Sequence, residues 1–144
     1  MQSPILAPAA ILVLWSLVVL TWVTVTRFAA IARLSKDQLR TLSKQGTRGQ
    51  DLERILPESV NWKSHNYTHL MEQPTVFYAA VVILALAGAG SEINTILAWG
   101  YTALRILHSI WQATVNKLPV RMLLFTTSSV CLIALAINAA RATI

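Results

Sequence analysis

Residues 61–89, NWKSHNYTHLMEQPTVFYAAVVILALAGA, decide the fold. Beyond Pro74 the run is apolar and uncharged as far as Ala89. Its whole length exceeds the roughly 20 residues that a helix needs to cross a hydrocarbon core. The first third, Asn61 to Gln73, is too polar to face lipid, because charges and unpaired polar atoms are expensive there. It must face protein or a water-filled cavity. A single helix with two such environments predicts a membrane bundle whose interior is polar at one end.

Three further apolar blocks flank this one. The spacing predicts helices over about 5–32, 61–89, 95–115 and 120–140, joined by a long loop over about 35–60 and by two tight turns. Pro4 and Pro8 stand near the first helix's start, where a missing N–H does least harm. A short amphipathic helix is expected around Asp37 to Lys44, lying on the membrane surface. The first block has no basic start and runs on too far for a signal peptide, so it reads as a retained helix. The fold class is therefore all-α membrane protein, one domain over 1–144.

Composition agrees with this layout. Of 144 residues, 55% are hydrophobic and 12% charged, about half the charged share of an ordinary soluble domain. The net charge of +6 is no footprint of nucleic acid, since eight of the 12 basic residues cluster in and beside the long connection between the first two apolar blocks. These are Arg27, Arg33, Lys36, Arg40, Lys44, Arg48, Arg54 and Lys63. Such clustering is a topology signal, and it places the 35–60 loop on the cytoplasmic side. Short loops and the lack of a targeting segment point to a bacterial inner membrane. Cys131, the single cysteine, lies in an apolar run and reads as a buried structural thiol.

The chemistry concentrates on two helices. His65, His69 and Glu72 recur at helical spacings on the second helix, and Tyr101, Arg105, His108 and Gln112 do so on the third. Glu72 and Arg105 each lie about three turns into their helices, where a lone charge would cost several kcal/mol, so an ion pair between them is expected. That pair alone could be interhelical glue. Two facing polar stripes that open toward a basic loop make a site for an anionic, hydrogen-bonding ligand. The histidines with Glu72 could ligate zinc or iron, but Arg105 would set a positive charge beside the ion, and no metal is expected. A transporter would need a polar path to the far face, and the fourth helix is apolar from Met122 to Leu135 apart from small hydroxyls.

The run Asn66-Tyr-Thr-His-Leu-Met-Glu72-Gln-Pro74 resembles the second-helix motif of the MAPEG family, the membrane-associated proteins in eicosanoid and glutathione metabolism. Tyr101-Thr-Ala-Leu-Arg105-Ile-Leu-His108-Ser resembles that family's third-helix motif, and the likeness extends over essentially the whole chain. The resemblance implies a homotrimer of left-handed four-helix bundles, with glutathione as co-substrate bound between subunits near the cytoplasmic face. It implies a thiolate stabilised by Arg121 near the start of the fourth helix. Glutathione's polar ends would be held by Arg33, His65, His69, Glu72, Arg105, His108 and Gln112. The implied activity is conjugation of glutathione to lipophilic electrophiles or reduction of lipid hydroperoxides, with the lipophilic partner arriving through the membrane lipids. His69 stands where family enzymes usually have asparagine, His65 where they often have arginine, and Gln112 where many have tyrosine. Those departures imply a looser hold on glutathione or a different ligand, and they leave open a non-catalytic lipid-binding or scaffold protein of the same fold.

Overall fold

A computed structural model describes residues 3–42 and 48–144 of the chain, and no strand occurs among them. Four long helices carry the architecture: α1 (Leu6–Ile31), α3 (Glu58–Leu86), α4 (Glu92–Thr114) and α5 (Leu118–Thr143). A short helix, α2 (Lys36–Leu42), and a single 3₁₀ turn at Asp51–Arg54 lie in the long connection after α1. Within the region of the expected surface helix, Lys44 lies outside the described residues, as does Gly46 of the loop.

Three of the long helices, α3, α4 and α5, start two or three residues earlier than the hydrophobic pattern alone predicts, because each start is set by local chemistry. Pro57 stands in an extended conformation ahead of α3 and so blocks helix behind it. Ser91 caps α4, its hydroxyl accepting from the Asn94 N–H. Pro119 occupies the first turn of α5, where its missing N–H leaves no partner unpaired. Two left-handed residues end the middle helices: Gly88, at φ +67°, closes α3, and Asn116, at φ +56°, closes α4.

α3 and α4 each touch all three other long helices, which is why polar side chains on them can be turned away from lipid. Toward the far face the interior is apolar, with Leu12, Val19, Phe77, Val81, Leu84 and Leu135 buried together. Outward positions of α1 are apolar too, and its threonine hydroxyls donate to carbonyls one turn back, as Thr24 does to Leu20 at 2.8 Å. That pairing hides a polar atom in a nonpolar setting. Cys131 is half-buried beside this core rather than fully enclosed.

Three of the long helices, α1, α3 and α5, are long and apolar enough to cross a membrane. α4 has no stretch as apolar as theirs, but Asn94, Thr102, Arg105, His108, Ser109 and Gln112 on it are buried. Its exposed residues include Ile93, Ile96, Trp99, Leu107 and Ile110.

Candidate functional site

Arg105 is the key to the site. It is only 1% exposed, yet its guanidinium makes one hydrogen bond, Nη2 to the carbonyl of His69 at 2.8 Å, while Nε and Nη1 find no partner. The expected ion pair with Glu72 does not form within one chain. Glu72 lies on the exposed side of α3, and the guanidinium is drawn to the backbone instead. Pro74 gives no N–H to the Leu70 carbonyl, but the oxygen that Arg105 takes is the neighbouring one, of His69. The Phe125 ring, 5.7 Å from Arg105 Cζ, adds a weak cation–π contact.

Arg105 lines a cavity of about 290 Å³ between α3, α4 and α5. Its polar wall is His69, Glu72, Gln73, Arg105, His108 and Arg121; Leu118, Met122 and Phe125 form an apolar edge exposed on α5. Glu72 and Arg105 thus share the cavity without touching. Two cations and one carboxylate give it a positive balance, suited to an anion.

Arg121 owes its position to the turn that joins α4 and α5. Asn116 adopts the left-handed conformation, which asparagine tolerates, and its side-chain oxygen accepts from Arg121 Nη1 at 2.7 Å. Gln73 ties three helices together at the cavity floor: its amide donates to Ser129 Oγ at 2.8 Å and its oxygen accepts from Tyr101 at 3.3 Å. Tyr101 in turn stacks on Phe77 with ring centroids 4.3 Å apart. Sequence reasoning missed Asn116 and Gln73. A signal existed for both, an asparagine directly after a helix and a glutamine beside an intramembrane acid.

The remaining predicted residues divide. His69 faces the cavity and meets Gln112 Oε1 through Nδ1 at 3.0 Å, so Gln112 lies behind the wall as a buried support. His108 stands 6.4 Å from His69, ring to ring. His65 turns away from Arg105 and meets Glu53 at 3.1 Å, in a separate opening beneath the loop that also reaches His69 and Arg27. Arg33 is apart from both, in a groove on the outer side of α1 and α3. Among the described residues no three of the histidines and acids come together as a metal site.

The fold and the cavity define an integral, multi-pass membrane helix bundle with a cationic internal site. The chain belongs to the MAPEG family, whose model matches residues 5–141, a family that includes glutathione transferases and peroxidases. No match was found among curated proteins or among solved structures.

Proposed function

We propose that the chain is a glutathione-dependent membrane enzyme that holds glutathione in the α3–α4–α5 cavity as a thiolate. The observation that carries this reading is the buried Arg105 with two unpaired nitrogens beside a second cavity cation. An arrangement of that kind is costly unless an anionic ligand completes it. Arg121 stabilises the thiolate by lowering the thiol's pKa. Arg105 takes a glutathione carboxylate, Glu72 its ammonium, and His69 and His108 its amide groups. The thiolate then forms a bond to an electrophilic carbon, whose leaving group departs with its electron pair. With a hydroperoxide it takes the terminal oxygen, the alkoxide leaves and is protonated, and a second glutathione yields the disulfide and water. Either lipophilic partner enters laterally past Leu118, Met122 and Phe125.

The assembly is a homotrimer in this reading. Glu72 lies exposed on a face of α3 that also bears Thr68, Met71, Thr75 and Val76. A carboxylate facing lipid would cost at least about 2 kcal/mol, and a neighbouring chain removes that cost. α4 is the fourth span: its 23 residues reach about 35 Å with an apolar outer face. The 35–60 loop is cytoplasmic and the membrane is a bacterial inner membrane. Native mass spectrometry in detergent tests the assembly, and a clean monomer contradicts it.

One observation favours a non-catalytic lipid-binding reading: His65 is engaged by Glu53 and faces away from the cavity. The two readings separate in an ultraviolet difference titration with glutathione at neutral pH. A saturable thiolate band that Arg121→Ala abolishes supports the enzyme. No band, together with no binding heat, supports the lipid-binding protein.

A further inference from the structure

A second site lies outside the cavity. Between the end of α1, the start of α3 and residues 55–57 runs a groove of about 530 Å³. Two cations line it, Arg33 and Lys63, and no acidic side chain does. Arg33 is exposed, and among the described residues nothing pairs with its guanidinium. Lys63 is held in place: its ammonium donates to the Ser59 carbonyl at 2.7 Å and lies 5.3 Å from the centre of the Trp22 ring. Two of its three N–H donors remain for a ligand. Ala29 and Ala30 leave the floor shallow and apolar, while the hydroxyls of Thr26 and Ser59 border it.

Depth identifies the occupant. α1 has 26 residues and so spans about 39 Å, more than the ~30 Å of a hydrocarbon core. Its ends therefore project into the headgroup layers, and Arg33 lies just beyond one end. A site at headgroup depth, doubly positive above and apolar below, matches a phosphodiester that carries acyl chains. We propose that this groove binds the phosphate of an anionic phospholipid between Arg33 and Lys63, with an acyl chain lying along Ala29 and Ala30. The site is separate from the cavity and does not depend on its ligand.

The test is native mass spectrometry of the protein released from nanodiscs of equal parts phosphatidylglycerol and phosphatidylcholine. The parent should retain phosphatidylglycerol over phosphatidylcholine by about tenfold. Arg33→Ala/Lys63→Ala should lose that preference, whereas Arg54→Ala/Lys117→Ala, which removes the same charge elsewhere, should keep it. Equal loss in both variants would mean diffuse attraction to the bilayer and overturn the site. Equal retention of both lipids by the parent would overturn it too. A groove variant that keeps the lipid preference but binds glutathione more weakly would assign Arg33 to the cavity of a neighbouring chain and likewise overturn it. A parent that prefers phosphatidylglycerol yet binds no glutathione would uphold the groove while refuting the proposed enzyme.

Discussion

Two buried polar clusters sit toward opposite ends of α4, and they are built differently. Near its start, Asn94 gives its amide N–H to the Ala89 carbonyl at 2.9 Å and accepts from Asn138 at 2.7 Å, while its backbone N–H meets the Ser91 hydroxyl. Toward its end, Arg105 is buried as deeply but makes one hydrogen bond and leaves two nitrogens unpaired. The first cluster is complete within the chain, so it holds α4 against α5 and the preceding turn. The second is incomplete within the chain, and in the proposed reading a ligand finishes it. Burial of a polar group does not separate glue from site in a membrane bundle; the balance of donors and acceptors does.

Substitutions at the two ends should therefore fail in opposite ways. The largest effect is expected from Arg121→Ala, which removes the cation facing the thiol. Turnover should fall about 10² to 10³-fold with little change in melting, as measured by conjugation assay and thermal unfolding in detergent. Asn94→Leu should do the reverse. It strands the Asn138 amide and the Ala89 carbonyl, and should cost about 1–3 kcal/mol of stability while glutathione affinity holds. A drop in affinity without a drop in stability would break the contrast.

Smaller effects sharpen the same contrast at the two left-handed turns. Asn116→Gly keeps the backbone conformation but removes the tether on Arg121, so the thiolate band should weaken roughly fivefold with the fold intact. Gly88→Ala has no tether to lose and nothing lies within 4 Å of the added carbon, so only the backbone penalty remains. It should lower stability by about 1 kcal/mol and leave the spectrum unchanged.

The bundle was legible because apolar blocks of spanning length need no partner to announce themselves. Pro57, Ser91 and Pro119 also marked helix starts, although the hydrophobic pattern alone ran two or three residues late. Helical spacing put His69 with Glu72 on one face and Arg105 with His108 on another, and all four line one cavity. What spacing could not give was pairing. A free Glu72 and a backbone-bound Arg105 depend on which carbonyl the guanidinium reaches and on which side of α3 remains exposed. His65 and Arg33 sit at the correct helical positions but at the bundle's edge, where loop and groove geometry decide their partners. The asparagine after α4 signalled a turn, but its tether on Arg121 appears only in the folded α4–α5 turn.

The central claim is that Arg105 is buried for a ligand and not for the fold. Arg105→Met tests it most directly, with glutathione binding followed by calorimetry and unfolding by a thermal scan of the same detergent sample. Removing a poorly paired buried charge in favour of an apolar chain of similar length should leave the melting midpoint equal or higher. The binding heat should vanish. A variant that melts well below the parent while still binding glutathione would make Arg105 a structural residue and contradict the account.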